Sequence, residues 1–544
     1  MKIKTIKSIK VLIIGLLISM SCTNLDETIY SDLSSSNFYK NRLEVMQGAL
    51  RPFTHLQAWY APTGQAGYYY HNELSADQQA WPQKGRHGYD GGSHFRQHYH
   101  TWTENESLIR NAWNLMWSGV GYVNSAIDDI SSIADPESIG MTQGEIKSIV
   151  AELHVLRAFH YIKMMDLWGN IPIVTEVAEG RPSNPKTKTR EEVFNFIEKE
   201  LETYIPQAPK YSEKLTGRTT QTAGYAMLAE LYLNAEKWIG KSRWDDCIAA
   251  CDKIIGGEAG GIGGSPILAS NLTDNYDNTN SDCSENLYQI AYSKKADFSF
   301  SWGGYLFGYG NMSEALDIAF SGWNAFVVTP TGFNAYKDTD LRKKEWFLLG
   351  PQYKYGTTDP IIATEEYSGK PLVYVNSIRR ESEGDFSSEG GMAEGEENSG
   401  ARFNKYKSGR QSDENYWENH YIIYRLTEIY FNKAEAIMRK NGGVATQEAV
   451  DLINACKQRA FAEVDWDSEK YTVTTLTMSE LLAERGREFM FEGKRRTDMI
   501  RFGAFIDSAW WDHKPTKDKN KELFAIPHSQ IANNPALKQN PGYN

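Results

Sequence analysis

Cysteine is scarce in this chain. Its 544 residues include only five, namely Cys22, Cys247, Cys251, Cys283 and Cys456. Scaffolds held together by disulfides are typical of small secreted domains, whose hydrophobic cores are too small to stabilise them alone. A chain of this length with so few cysteines is not expected to be of that kind. Cys247 and Cys251 are four residues apart on the apolar face of a predicted helix, where cysteines pack as small hydrophobic side chains. The spacing of the cysteines matches no metal site.

Two further deficits narrow the class of protein. Basic residues are fewer than acidic ones, and the net charge is therefore −12. Nucleic-acid binding needs a positively charged surface, so the charge argues against that kind of partner. No apolar run beyond the N-terminal segment is long enough to span a bilayer, which takes about 20 residues. The body of the chain is therefore predicted to be soluble.

Residues 1–21 are predicted to be an export signal. Four lysines lie among the first ten residues, a short apolar run follows at 11–18, and Cys22 comes directly afterwards. This segment is too short and wrongly flanked for a spanning helix. A cysteine at the cleavage point predicts a bacterial lipoprotein, whose mature chain begins at an acylated Cys22. The alternative is ordinary secretion, in which Cys22 belongs to the discarded signal.

Apolar side chains recur at helical spacing in several blocks. The first three are Glu145–Trp168, Thr219–Trp238 and Trp244–Ile255. Further stripes run over 423–437 and 449–460, and a capping box of Thr477 and Glu480 precedes a long helix predicted to reach about residue 501. Helix–turn–helix pairs with small residues at their crossings predict a mostly α scaffold of tetratricopeptide-like helix pairs. The stretches 60–105 and 256–415 are loop-rich, with short strand-like runs at 286–292 and 372–378.

Motifs spread over the whole chain resemble one known family. The C-terminal quarter reads YRLTEIYFNKAEA at 424–436 and ERGREFMFEGKRRTDMIRFG at 484–503. The chain ends with LFAIP at 523–527, NNP at 533–535 and QNPGY at 539–543, and it carries LRAFHY at 156–161 and GNIP at 169–172. Together, in this order, these motifs closely resemble the SusD-like (RagB/SusD) family of outer-membrane nutrient-binding lipoproteins.

The resemblance implies a non-catalytic, mostly helical protein. It implies one SusD-like domain over 22–544, with scaffold parts at about 40–60, 105–255 and 415–505 and loop-rich ligand-binding parts at about 60–105 and 256–415. It also implies a lipid anchor in the cell outer membrane, a TonB-dependent SusC-like transporter as partner, and capture of glycans before import. Asp26 and Glu27, just past the cysteine, resemble the surface-export signal of lipoproteins in the Bacteroidota, which implies an outward-facing protein.

Candidate binding residues come from the loop-rich stretches. Glycans offer flat apolar faces and a rim of hydroxyls, so a binder needs aromatic platforms with polar groups at their edges. Trp81, Trp302 and Trp323 each neighbour Gly or Pro and are predicted to lie on loops. Family members with known glycan complexes carry platform aromatics in these same three regions. The predicted edge groups are Arg86, Tyr89, Asp90, Tyr305, Tyr309 and Asn324. The alternative is that one or more of the tryptophans fill the core beneath the loops.

Other functions stay open on the sequence. The same scaffold could capture a peptide or another nutrient, or the protein could be a purely structural partner of the transporter. A glycoside hydrolase would need two carboxylates about 5–10 Å apart across a cleft. Glu484, Glu488, Glu492 and Arg496 follow one another along one predicted helix face and do not straddle a bond. They are predicted to form an ion-pair network that ties this helix to the C-terminal segment.

No cofactor is predicted, although calcium stays open at two acidic stretches, 274–282 and 381–400. The first stretch lacks the glycine and terminal glutamate of an EF-hand loop. Five histidines fall between residues 71 and 100, namely His71, His87, His94, His98 and His100. Because His98 to His100 suits an extended segment and no further ligand completes a metal site, a packed loop near the ligand surface is predicted there.

Overall fold

Helices build most of the structure, as the sequence predicts. The computed structural model describes residues 38–62, 67–177, 184–293, 312–316, 322–386, 389–407 and 417–543. The helices of these residues are α1 (Arg42–Thr54), α2 (Leu56–Trp59), α3 (Tyr68–Glu73), α4 (Ser93–His98), α5 (Ser107–Ser131), α6 (Gln143–Trp168), α7 (Arg190–Tyr204), α8 (Gln221–Ile239), α9 (Trp244–Ile255), α10 (Met312–Leu316), α11 (Pro330–Asn334), α12 (Leu341–Glu345), α13 (Leu426–Lys440), α14 (Gln447–Lys457), α15 (Glu463–Glu469), α16 (Met478–Glu488), α17 (Arg495–Arg501) and α18 (His528–Asn533).

The strands are short and pair two at a time. They are β1 (Gln79–Ala80), β2 (Asn286–Ile290), β3 (Val327–Val328), β4 (Phe347–Leu348), β5 (Gly350–Pro351), β6 (Val373–Tyr374), β7 (Arg402–Phe403) and β8 (Tyr421–Arg425). Within the described ranges they form antiparallel ladders β1–β3, β2–β8, β4–β7 and β5–β6. Most of them lie in the stretches predicted to be loop-rich, where they join loops that are far apart in sequence.

The long helices pack as a continuous series of neighbours. Helix α5 packs on α1 and α6, then α6 on α7, α7 on α8, α8 on α9, α9 on α13, and α13 on α14. Small side chains allow the close crossings: a Cβ added at Gly224 on α8 would lie 2.4 Å from Ile205 Cγ1. This series of helices, each packed on the next, confirms the predicted tetratricopeptide-like scaffold. The series passes directly from α9 to α13, so residues 256–425 leave it and return.

Local signals place most helix ends correctly, and two boundaries differ from the prediction. Helix α6 ends at Gly169, whose φ of 68° suits glycine. The long helix predicted from 478 to 501 is wrong, because the chain turns between α16 and α17. Phe491 and Gly493 there have φ of 68° and 70°, which no helix contains. Ile423, predicted to start a helical stripe, instead lies in β8, paired with β2.

The carboxylates of α16 and the turn after it are buried in an ion-pair network. Glu488 contacts Arg342 (2.8 Å) and Arg425 (2.9 Å), and Glu492 contacts Arg425 (2.9 Å) and Lys405 (2.6 Å). Burial by itself would raise the pKa of Glu492, but the two cations outweigh it and lower that pKa to about 2. The predicted ion-pair network is confirmed.

The network reaches further than predicted. It joins α16 to the middle of the chain through Arg342 and Lys405, and to β2 because Arg425 also contacts Glu285 at 3.1 Å. The C-terminal segment is joined as well, since Arg496 donates to the backbone oxygen of Glu522. Long-range ion pairs of this kind tie together segments that no local sequence pattern connects.

The structure contains no disulfide among the four cysteines that lie in the described residues. Cys247, Cys251, Cys283 and Cys456 all carry free thiols. None of the helices in the described ranges combines the length and apolarity that crossing a membrane requires. Over the same residues, His, Cys, Asp and Glu side chains form no group of three or more that could hold a metal ion.

Glu73, at the end of α3, is a buried acid that makes the stability of the fold depend on pH. Its Oε2 accepts a hydrogen bond from Gln79 Nε2 (2.7 Å), and burial raises its pKa from 4.5 to about 8. The folded state therefore binds one more proton than the unfolded state between about pH 4.5 and pH 8, so stability falls as pH rises through this window. The slope approaches about 1.4 kcal/mol per pH unit.

Glu73→Gln should flatten that slope and raise the free energy of unfolding at pH 8, because glutamine does not ionise. Urea unfolding at several pH values from 5 to 8.5 measures the effect. Glu383→Gln is the control, since the Glu383 side chain is 66% exposed. Equal pH slopes in the wild type and Glu73→Gln would contradict the prediction.

Candidate ligand-binding surface

Two loops that are distant in sequence meet at Lys84. Its Nζ donates hydrogen bonds to the backbone oxygens of Asn324 (2.6 Å) and Ala325 (2.9 Å). The side chain is buried, and burial together with the nearby charge of Arg402 lowers its pKa well below the ordinary value. Lys84 therefore fixes the loop after β1 against the segment that leads into β3.

A third segment, residues 392–397, completes this arrangement. Backbone hydrogen bonds run from Gln83 N to Met392 O (2.7 Å) and from Gly85 N to Gly395 O (3.0 Å). Asn324 Nδ2 donates to Glu397 O at 3.2 Å. The carboxylate of Glu397 in turn accepts the N–H group of Tyr367 at 2.8 Å. Three segments from different parts of the chain thus form one hydrogen-bonded floor.

Two exposed aromatic rings lie within five residues, along the chain, of the contact between Lys84 and Asn324. Tyr89 is 53% exposed and Trp323 is 47% exposed. Each ring stands beside a residue with left-handed backbone, Asp90 (φ 45°) and Asn324 (φ 52°). Asp and Asn are the side chains that tolerate this conformation best, so the sequence allows tight turns at both places. The tight turns present the two rings at the surface.

Trp81 does not belong to this exposed set, which corrects the prediction. It is 4% exposed and stacks on the His94 ring at 4.1 Å with an interplanar angle of 6°. Its ring also lies 5.4 Å from that of Phe326. The cause is the pairing of β1 with β3, which brings the residue after β1 underneath the loop. The alternative considered from the sequence, a tryptophan packed beneath the loops, holds at this position.

The remaining predicted residues divide into described and undescribed ones. Trp302, Tyr305 and Tyr309 lie outside the described residues, as does Cys22. Arg86 is exposed at the floor, where its Nη2 lies 3.9 Å from Glu365 Oε1. Asn324 is held by its amide, while its Oδ1 has no hydrogen-bond partner in the described part of the chain. The structure therefore places Arg86, Tyr89, Asp90, Trp323 and Asn324 on adjoining segments.

Residues 364–367 form an edge that the sequence did not reveal. Glu365 faces Arg86, and the carboxylate of Glu366 lies against Gly85, where an added Cβ would meet Oε1 at 2.4 Å. Glu366 Oε2 also accepts the N–H of Glu397 at 2.9 Å. No sequence signal marks these acids, because their neighbours Gly85 and Arg86 are about 280 positions away and long-range pairing leaves no local periodicity.

Four of the five histidines predicted to be packed near this surface are buried, whereas His87 is exposed. His94 and His98 lie on α4, so the extended conformation predicted for this segment is wrong. His98 Nε2 lies 3.2 Å from Asp512 O, and His100 Nε2 lies 2.7 Å from Ser75 O. Burial lowers the pKa of both, in His98 to about 3. Neutral His98 thus fastens α4 to the chain around residue 512, and neutral His100 fastens the turn after α4 to Ser75.

Comparison with known proteins fits this architecture. The profile of the SusD family matches residues 267–543, and a second profile, described as starch-binding associating with outer membrane, matches residues 25–233. The chain belongs to the SusD family. This confirms the resemblance noted from the motifs, and the two matched segments together cover both loop-rich stretches and nearly all of the helical scaffold.

Curated relatives and solved structures of the SusD family share the fold over most of their length. The starch-binding protein SusD of Bacteroides thetaiotaomicron is 26% identical over 443 residues, which are 74% of each chain. The SusD-like protein P2 of Formosa agariphila is 23% identical over 81% of this chain and 82% of its own.

Two solved structures superpose well. A laminarin-binding SusD-like protein has a TM-score of 0.70 and 19% identity, covering 93% of this chain and all of its own. Surface glycan-binding protein A of Bacteroides thetaiotaomicron, in complex with laminarihexaose, has a TM-score of 0.66 and 18% identity, covering 92% and 99%.

Proposed function

We propose that this protein is a non-catalytic glycan-binding protein and that Trp323 and Tyr89 form its stacking platform. The observation that carries the proposal is the pair of half-exposed rings on loops that Lys84 fixes to each other. Sugar rings stack on such aromatic faces, and immobile loops lose little conformational entropy when they bind. The starch-binding and laminarin-binding relatives support a glycan as the ligand class.

The surroundings of the platform support binding without catalysis. Cleavage of a glycosidic bond needs one carboxylic acid and one carboxylate across a cleft. Three acids of these segments already accept hydrogen bonds from other residues of the protein. Asp90 accepts a hydrogen bond from His94, Glu397 accepts backbone N–H groups, and Glu366 accepts the N–H of Glu397. These acids hold loops together, which suits a binding surface.

The proposal extends to the protein's place in the cell. We infer that the mature chain is one domain from Cys22 onward, anchored in the cell outer membrane by acylation of that cysteine and facing the exterior. A TonB-dependent SusC-like transporter would receive the captured oligo- or polysaccharide. The matched profile described as starch-binding associating with outer membrane supports this location. In this proposal the captured glycan reaches the transporter unchanged, because the binding surface performs no chemistry on it.

Affinity electrophoresis tests the platform. The soluble chain from Thr23 onward is run through gels that contain starch, laminarin and other polysaccharides. We expect at least one polysaccharide to retard the wild type, and we expect Trp323→Ala to weaken that binding by about 30-fold, the effect of removing a central aromatic anchor. Tyr89→Ala should weaken it less, because a tyrosine offers a smaller stacking face.

The control is Tyr122→Ala, which removes a comparably exposed tyrosine (40%) from α5, where it packs on His55. Its retardation should equal that of the wild type. Retardation that survives both Trp323→Ala and Tyr89→Ala would place the binding surface elsewhere. If no polysaccharide retards the wild type, the glycan proposal is wrong and a peptide or another nutrient becomes the ligand to test.

A further inference from the structure

A buried tyrosine, a buried histidine and a surface aspartate are connected in a row. The Tyr70 hydroxyl contacts His94 Nδ1, and His94 Nε2 lies 3.1 Å from Asp90 Oδ2. Tyr70 and His94 are buried, whereas the Asp90 side chain is 49% exposed. The row therefore leads from the core to the protein surface and ends in the carboxylate of Asp90, the residue that follows Tyr89 in the chain.

The protons of this row are set by burial. Burial raises the pKa of Tyr70 well above its ordinary value, so the tyrosine keeps its proton and donates it to Nδ1. His94 then carries its own proton on Nε2 and donates it to Asp90, and this hydrogen bond lowers the pKa of Asp90. The result is an ionised aspartate whose Oδ2 is occupied and whose Oδ1 accepts no hydrogen bond from the described residues.

Trp81 fixes the orientation of the histidine. Its ring lies parallel to the imidazole at 4.1 Å, and the Phe326 ring lies tilted to the indole, 5.4 Å away. With both nitrogens bonded and one face covered, the imidazole has one orientation. Since Asp90 has φ of 45° and is followed by two left-handed glycines, Gly91 and Gly92, the His94 contact also fastens a backbone turn that would otherwise be costly.

We propose that Asp90 is a ligand-contacting residue that accepts hydrogen bonds from sugar hydroxyls, and that His94 and Trp81 are the positioning residues that hold it. This inference rests on the proposed glycan-binding function. An exposed carboxylate on the residue that follows an exposed aromatic ring suits a sugar that stacks on the ring and presents its hydroxyl groups at the edge. The same negative charge would repel a uronic acid at this position, so the ligand class is a neutral glycan.

The test measures the dissociation constants of starch and laminarin for single and double variants. Asp90→Asn keeps the shape and tolerates the left-handed backbone, but it removes the charge. We expect binding to weaken by about 10-fold or more, since hydrogen bonds to charged acceptors are the stronger ones. The matched control is Asp467→Asn, whose side chain is 90% exposed on α15 and pairs with Lys470, outside the three floor segments. It should bind as the wild type does.

The positioning role is tested by a double-mutant cycle. His94→Leu should weaken binding several-fold in the wild type and have no further effect in Asp90→Asn, because it acts through Asp90. His94→Gln, whose amide can still donate to the carboxylate, should restore part of the loss. If His94→Leu does not fold, Trp81→Phe takes its place in the cycle.

The possible outcomes separate the two proposals. Wild-type affinity in Asp90→Asn, with the wild type binding either glycan, would overturn the role of Asp90 while leaving glycan binding intact. An equal loss from His94→Leu with and without Asp90 would show that His94 only supports the fold. If the wild type binds neither of these nor any other polysaccharide of the affinity gels, both the inference and the glycan proposal that it rests on fail.

Discussion

Arg425→Met should lower the free energy of unfolding by about 3–5 kcal/mol. A loss of this size is a large part of the total stability of a typical protein. Arg425 is fully buried and contacts Glu285, Glu488 and Glu492 at 2.9–3.1 Å. Methionine fills much of the same volume but leaves three buried carboxylates with too little positive charge. Urea unfolding followed by circular dichroism measures the loss.

Arg42→Met is the matched control for Arg425→Met. Arg42 pairs with Glu145 at 2.7 Å, but the two side chains are 56% and 38% exposed. Exposed pairs contribute little, so this variant should lose less than about 1 kcal/mol. Similar losses in both variants would contradict the claim that burial gives the Arg425 network its importance. The Glu145 capping box on α6 stays intact in the control, because it needs only Thr142.

Trp81→Ala should lower the free energy of unfolding by about 3–5 kcal/mol, the usual cost of deleting a buried aromatic side chain. The variant leaves a cavity between His94, Phe326 and the loop at Gly88, where the Trp81 Nε1 lies 3.1 Å from the position of an added Cβ. Trp81→Phe should recover part of the loss. Thermal and urea unfolding both report it.

Trp323→Ala is the counterpart of Trp81→Ala, because Trp323 is half exposed. It should change stability by no more than about 0.5 kcal/mol while weakening glycan binding. The two tryptophans thus differ in which property they control. A larger stability loss from Trp323→Ala than from Trp81→Ala would reverse the assignment of buried and exposed ring and would contradict the site described above.

Local patterns predicted the scaffold well. Helices α6, α8 and α9 end within about two residues of their predicted limits, since caps, glycines and apolar spacing act between neighbours in sequence. The break between α16 and α17 is not predictable from local patterns, because contacts with residues distant in sequence stabilise it. The carboxylates at 484, 488 and 492 have helical spacing, yet the last of them lies in a turn, where Arg425 and Lys405 hold it.

The candidate surface was only partly predictable. Tyr89, Trp323 and Asn324 lie beside turn-forming residues, and this local signal suffices to place them on loops. The burial of Trp81 depends on the pairing of Ala80 with Val327, which is about 250 positions away. Nothing near Trp81 in the sequence carries that information, because a Pro beside a Trp indicates a loop and does not say which side of the loop is covered.

The direct contact between α9 and α13 has a consequence for how this protein can change over evolution. Residues 256–425 leave the scaffold after one helix and return at the next, and the two helices still pack on each other. The entropic cost of closing a flexible loop rises by only about 0.6 kcal/mol for each doubling of its length. Segments can therefore be lengthened, shortened or exchanged between these two helices at little cost to the scaffold. Relatives that share the helices are free to carry different surfaces for different ligands.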